Sequence, residues 1–289
     1  MKDSSLPVIG LVAGDPAGVG PELLAETLKQ VPAGVCLQVI GDPSPCNSGV
    51  PDREGSLRAI ASLEEAARRV VAQELAAVVT GPVNKRHLHE VGFEFPGQTE
   101  FFAARARVNN FAMLLTGGGL TVALVTAHLP LKLVSEQLTT SEIVRVGELL
   151  ADFLKRRGIP SPRIAVAGLN PHAGENGDLG DEELVVIAPA LPLLNAASPG
   201  TSFSGPWSPD TVFWRASQGE FDAVLCMYHD QGLIPLKLLG FHVGVNVTIG
   251  LPFIRTSPDH GTAYEIAGKG IARPESFLSA VRLAAELVR

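Results

Sequence analysis

Apolar and polar positions along this chain alternate between short continuous apolar runs and longer stripes with helical spacing. Leu6 to Ala13, Val35 to Ile40 and Ala76 to Thr80 are brief apolar runs, the pattern of strands in a parallel sheet covered on both faces. Arg163 to Leu169 and Asp222 to Tyr228 read the same way. Phe111 to Leu115 and Leu120 to Thr126 flank Gly117-Gly118-Gly119, which predicts a hairpin and one antiparallel element. Between the strands, Pro21 opens a helical pattern through Gln30. Ser62 and Glu65 have capping-box spacing before a helix, and Thr139 and Glu142 have it before a longer one that stops at Gly158. Thr99 reads as the N-cap of the helix that follows it. Residues 181–195 are partly helical, broken by Pro189 and Pro192, and Pro274 to Val288 forms a final helix. Residues 42–56 read as a loop without periodicity, and residues 205–210 as a loop before a helix. The alternation predicts an α/β fold with a mostly parallel sheet and any second domain intimately joined to the first.

In such folds ligands gather at the carboxyl ends of strands. Three apolar runs end there in a histidine: His128, His172 and His229. Three imidazoles suit zinc or a similar divalent ion, and separately hydrogen-bonded buried histidines would give the same pattern. Asp210 and Asp230 are the carboxylates placed to orient such a site or move protons. Lys237, Asn246 and Arg255 interrupt stretches too apolar for surface loops. They point to a carboxylate or phosphate substrate, or else to cations that snorkel from amphipathic elements. Gly14 to Gly20 before Pro21 reads equally as an anion-binding helix start and as a tight turn. Lys85 is either a ligand contact or a solvated lysine, while His87 and His89 read as solvent-facing.

Composition narrows the classes. The 289 residues allow one large or two ordinary α/β domains, and 46% hydrophobic against 18% charged residues describes a compact protein. A formal charge of -7 argues against a nucleic-acid partner. The first apolar run is too short for a signal peptide, and none is long enough for a membrane span. Three cysteines without CxxC spacing fit a reducing, cytoplasmic setting.

Seven segments carry a resemblance: GDPAGVGPE (14–22), TGPVNK (80–85), GQTEFF (97–102), TAHLPL (126–131), GLNPHAGE (168–175), MYHDQGLIPLK (227–237) and GVNVTIGLPFIRTSPDHGTA (244–263). Together they resemble the 4-hydroxythreonine-4-phosphate dehydrogenases of pyridoxal phosphate biosynthesis. The resemblance implies an isocitrate/isopropylmalate-dehydrogenase-like fold of two α/β/α domains with a cleft between them, and a homodimer. The expected domains are 1–97 with 249–289, and 98–248, the latter carrying the metal ligands and dimer interface. By the same resemblance His128, His172 and His229 match divalent-metal ligands (zinc, magnesium or cobalt). Thr99, Lys237, Asn246 and Arg255 match substrate positions. The run from Asp259 to Pro274 resembles the adenine-side loop of isopropylmalate dehydrogenases, which implies NAD contacts at His260 and Gly261. Gln98 departs from the pattern, standing where many members have histidine. A glutamine there is expected to offer the substrate a neutral hydrogen bond, where a protonated histidine would offer charge.

The implied reaction is NAD-dependent oxidation and decarboxylation of 4-phosphooxy-L-threonine to 3-amino-2-oxopropyl phosphate. Asp210 or Lys237 would take the hydroxyl proton. The rivals are the same chemistry on D-threonate or D-erythronate 4-phosphate, a NAD-independent metal hydrolase or aldolase on a phosphorylated sugar acid, and a non-catalytic phosphometabolite-binding protein.

Overall fold

A computed structural model describes residues 6–289. Residues 1–5, the start of the first expected domain and of the segment read for a signal peptide, lie outside the described residues. The chain divides into two units, Met1–Asn109 with His242–Arg289, and Asn110–Phe241.

The first unit begins with β1 (Val8–Val12), α1 (Gly20–Thr27), β2 (Cys36–Val39), α2 (Arg53–Val71), β3 (Ala77–Thr80), α3 (Lys85–Glu90) and α4 (Gln98–Ala106). The second unit follows with β4 (Ala112–Gly117), β5 (Leu120–Leu124), α5 (Val134–Gln137), α6 (Thr140–Arg156), β6 (Arg163–Ala167), α7 (Ala188–Ala197), β7 (Ser202–Trp207), α8 (Pro209–Ser217), β8 (Ala223–Cys226) and α9 (His229–Gly240). The chain then returns to the first unit with β9 (Val245–Ile249), β10 (Ile254–Pro258) and α10 (Glu275–Leu287). The units part at 109/110 and 241/242 rather than at 97/98 and 248/249, because α4 packs on α2 and β9 is hydrogen-bonded to β10.

In the first unit the strand order is β2-β1-β3-β10-β9, parallel except for β9. Gly118 and Gly119, with φ of 59° and 82°, supply the left-handed pair that a two-residue hairpin needs between β4 and β5. The other strands of the second unit, in the order β5-β8-β6-β7, are parallel. Its core joins Leu115, Val122, Leu124, Val224 and Leu236.

Helix α6 forms as its sequence predicts: Thr139 Oγ1 accepts from the Glu142 amide at 3.2 Å. Ile143, Val146, Leu150 and Leu154 are fully buried along one face, each worth about 1.5–3 kcal/mol of burial. Helix α2 departs from expectation. It starts at Arg53, capped by Asp52 Oδ1, which accepts from the Gly55 amide at 2.7 Å. Ser62 lies inside the helix, its hydroxyl donating to the Arg58 carbonyl, so the Ser62/Glu65 spacing is not a cap. Asp is as good an N-cap as Ser, and the apolar stripe Ala59, Leu63, Ala66, Val70 fixes the helix from the core side. The N-cap of α4 is likewise Gly97, which leaves Thr99 in the first turn. Pro192 sits within α7 without ending it, and β7 occupies residues read as part of a loop.

Candidate active site

In the second unit, the four parallel strands present their carboxyl ends along one edge of the sheet. That edge carries His128 after β5, His229 after β8, His172 after β6 and Asp210 after β7. The rings of His128 and His229 have centroids 5.6 Å apart. His229 opens α9, with its Nδ1 2.6 Å from Asp230 Oδ1. Asp230 thereby fixes the ring and leaves Nε2 as the nitrogen for a ligand.

The expected convergence of three imidazoles is not met. Among the described residues, no group of three His, Cys, Asp or Glu side chains is arranged to hold a metal. His172 is exposed, on the turn Pro171–Gly177. There five successive residues are left-handed: His172 (φ 52°), Ala173 (52°), Gly174 (78°), Glu175 (44°) and Asn176 (60°). This winding carries the turn to the surface, and each non-glycine residue in it costs about 1–2 kcal/mol. Two neighbouring imidazoles, one backed by a carboxylate, suit two ligand positions of a divalent ion, and His172 would have to join them as the third. Asp210 is exposed at the start of α8 and accepts from Ser208 Oγ at 2.5 Å. Lys237 is half-buried on α9.

The first unit holds a different kind of site. Arg255, on β10, is 3% exposed. Its Nη1 donates to Thr248 Oγ1 at 3.3 Å, and its Nη2 to Thr80 Oγ1 at 2.8 Å and Gln98 Oε1 at 3.1 Å. All three acceptors are neutral. Burial pulls the guanidinium down to about 10, against a smaller upward pull from Glu100, so it remains charged at neutral pH. Its Nε is buried without a hydrogen-bond partner, and so is Asn246 Oδ1 on the neighbouring strand. A buried cation held only by neutral groups is costly until an anion meets it. Thr99 joins the group through Thr248, their hydroxyls 3.4 Å apart.

Gln98 is tied into the site from both ends of its amide. Its Oε1 accepts from Arg255 while its Nε2 donates one hydrogen to the Gly81 carbonyl at 3.0 Å. Gln98 thereby orients the arginine. Thr80 and Thr248 were not singled out from the sequence, because a threonine within an apolar strand reads as ordinary strand propensity.

The loop after β10 is latched to the β1–α1 turn. Tyr264 donates to Asp15 Oδ2 at 2.5 Å, and burial, then that carboxylate, push the phenol well above its ordinary range. Glu22 accepts from the amides of Gly268 and Gly270, each at 3.2 Å, and the Val19 amide donates to the Thr262 carbonyl. His87 is half-buried and stacks on Tyr264, so it is not solvent-facing, whereas His89 and Lys85 are exposed. His260 and Gly261 are exposed on this loop, and His260 Nδ1 lies 2.9 Å from the Gly261 carbonyl. A cavity of about 340 Å³ opens beside the loop, lined by Gly18, Pro21, Glu22, Leu24, Pro45 and Gly268 among others. The free cysteines are Cys36, Cys46 and Cys226, and no helix among the described residues is long and apolar enough to cross a membrane.

Residues 22–284 match the family described as pyridoxal phosphate biosynthetic protein PdxA. The chain is 41% identical to a 4-hydroxythreonine-4-phosphate dehydrogenase of Desulfosudis oleivorans, over 96% of this chain and 95% of that one. It is 38% identical to a D-threonate 4-phosphate dehydrogenase of Pectobacterium atrosepticum, over 97% and 99%. The crystal structure of 4-hydroxythreonine-4-phosphate dehydrogenase from Klebsiella pneumoniae superposes with a TM-score of 0.82 at 37% identity, covering 98% of this chain and all of that one. An isocitrate dehydrogenase from Methylococcus capsulatus, 16% identical with a TM-score of 0.56, shares the fold, as the family resemblance implies.

Proposed function

We infer the reaction from one premise: this chain belongs to the family of the pyridoxal phosphate biosynthetic protein PdxA. It is a dehydrogenase that oxidises 4-phosphooxy-L-threonine with NAD and releases carbon dioxide to leave 3-amino-2-oxopropyl phosphate. The observation that carries this reading is Arg255, a buried guanidinium whose hydrogen-bond partners are all neutral. Such a group is an anion receptor, and the substrate's phosphate or carboxylate supplies the missing charge. Thr99 and Asn246, beside Arg255, and Lys237 from α9 hold the rest of the substrate.

His128, His229 and His172 would hold a divalent ion (zinc, magnesium or cobalt), which would supply Lewis-acid polarisation of the substrate's oxygens, with NAD as the hydride acceptor. Asp230 keeps His229 in the tautomer that presents Nε2. Asp210, exposed on the same sheet edge, takes the hydroxyl proton, with Lys237 as the alternative base. The latched loop with His260 and Gly261 would hold NAD, and the 340 Å³ cavity beside it is large enough for a nucleoside.

A homodimer is supported by the outer face of α9 and its C-cap, where Ile234, Leu238 and Phe241 are exposed at helical spacing and Leu238 reaches 84%. Three free thiols fit a cytoplasmic setting.

A second reading keeps the chemistry and changes the acid to D-threonate 4-phosphate, in line with the relative of that name. Parallel assays with both acids, each with and without NAD and with and without chelator, decide between them. Turnover of 4-phosphooxy-L-threonine that requires both NAD and metal is expected. Turnover of the threonate alone overturns the substrate, and turnover without NAD overturns the reaction.

A further inference from the structure

Arg255 meets an anion with less than its whole guanidinium. Its Nη2 has two hydrogens and two acceptors, Thr80 Oγ1 and Gln98 Oε1, while its Nη1 donates to Thr248 Oγ1. A guanidinium grips a planar carboxylate with two parallel N–H groups on one edge, and both of its two-donor edges include Nη2. Neither edge is open here. What remains is one Nη1 hydrogen and the orphaned Nε, which lie on different edges. Single contacts from separate directions suit the tetrahedral oxygens of a phosphate. A phosphate monoester carries about −1.5 to −2 charges at pH 7, where Arg255 supplies one.

A second cation stands beside this group, in the same unit. Lys85 opens α3, five residues after Thr80, and is exposed. Among the described residues it has no hydrogen bond or ion pair. Its side chain lies over Gly97, the residue before Gln98: a Cβ on Gly97 would come within 3.3 Å of both Lys85 Nζ and Cε. Gly97 has extended backbone that any residue adopts (φ −170°, ψ −175°), so what a glycine provides here is room for the lysine. Gly97 is also the N-cap of α4, and no side chain caps the first amides of that helix. Glu100 Oε2 flanks the same Gly97, 3.2 Å from that Cβ position, without pairing with the ammonium. Set Glu100 against Arg255 and the two charges cancel. Lys85 is the charge that leaves the site positive.

We propose that Lys85 is a further binding residue of the Arg255 site, the second cation through which it takes a phosphate in preference to a carboxylate. The proposal rests on the reading of Arg255 as an anion receptor. A carboxylate finds no open guanidinium edge and needs only one positive charge, whereas a phosphate uses scattered donors and gains from the second.

The test follows inorganic phosphate bound to the full chain by phosphorus NMR titration, with chelator present throughout and acetate as competitor. The parent is expected to bind phosphate and to release it only to about a tenfold or greater excess of acetate. Lys85→Met should weaken phosphate by about 10-fold, the loss of one charge-assisted contact, and change the acetate constant by about twofold or less. Lys85→Arg keeps the charge and should bind phosphate within about threefold of the parent. Melting of Lys85→Met should stay within about 2 °C of the parent, so that lost affinity is not lost fold. Arg255→Met should weaken both anions. If Lys85→Met binds phosphate as the parent does while Arg255→Met does not, the role of Lys85 falls and the anion receptor stands. If acetate displaces phosphate from the parent at equal concentration, the preference for phosphate falls. If Arg255→Met retains parental phosphate affinity, or the parent binds none, the receptor reading falls and takes this proposal with it.

Discussion

Replacing Gln98 by histidine tests the anion site most directly, because the expected outcome reverses once the hydrogen bonds are known. From sequence alone, a protonated imidazole at this position should attract the substrate's phosphate and strengthen binding below pH 6.5. In the structure, the side chain at 98 is an acceptor for Arg255 Nη2 at 3.1 Å and a donor to the Gly81 carbonyl. A neutral imidazole can fill both roles with its two nitrogens, whereas a protonated one has no acceptor and sets a second cation against the first. Two unit charges about 4 Å apart repel by about 4 kcal/mol at an effective dielectric of 20, or roughly three pKa units. The introduced imidazole therefore stays neutral across the assay range. Gln98→His should show a KM for 4-phosphooxy-L-threonine that is level from pH 6 to 8, within about twofold of the parent at each pH. Gln98→Leu removes both contacts and leaves a buried N–H and a carbonyl unsatisfied, at about 1–3 kcal/mol each. On this chain a loss of about 2 kcal/mol lowers Tm by about 3 °C. Initial rates at six substrate concentrations and five pH values, with a thermal melt of each variant, suffice. A KM for Gln98→His that falls several-fold below pH 6.5 would refute the argument, since the imidazole would then be charged and facing the substrate.

Arg255→Met should raise KM by about 100-fold or more, yet leave stability unchanged or improved by about 1–4 kcal/mol, because a buried charge without a counter-ion gives way to an apolar chain. A loss of stability in thermal melts would mean that the neutral hydroxyls compensate the charge in the free protein. Asp222 gives a pH test of the second unit. Burial raises its pKa, but hydrogen bonds from the Arg163 guanidinium and amide outweigh that and hold the net value below 3.8. A depressed carboxylate stabilises above its unfolded pKa and loses that contribution as pH falls through the folded one. Asp222→Asn should therefore cost about 1 kcal/mol at pH 7 and progressively less below pH 4 in urea titrations, discounted for the exposed Arg163 side chain. A deficit that does not shrink as pH falls contradicts the assignment. Leu238→Glu should shift the protein from dimer to monomer in sedimentation velocity at micromolar concentration, and a monomeric parent would remove the interface on α9.

The sequence by itself determined seven of the ten strands among the described residues, the α/β class and the strand ends that carry the three histidines. Its signals are local: apolar runs of strand length, a Thr-x-x-Glu cap at 139–142, a glycine pair that turns a hairpin, and a histidine just past each of three strands. The long motifs also carried the family, whose pattern implies substrate contacts at Arg255, Asn246 and Thr99. Tertiary structure alone decided how these parts act. Whether Gln98 faces substrate or Arg255 depends on a guanidinium 157 residues away in sequence and 3.1 Å away in space. Glu183 carries no local mark, following Asp181 and Glu182 in what reads as a surface acidic run, until the fold buries it under the Leu169 and Asn170 amides. The left-handed winding at His172 is equally illegible, because four of its five residues are not glycine and local propensity opposes it. Pattern and propensity report what a residue prefers by itself. Strain, orphaned charge and shared hydrogen bonds arise only when the chain closes on itself and removes the water that would have met those groups instead.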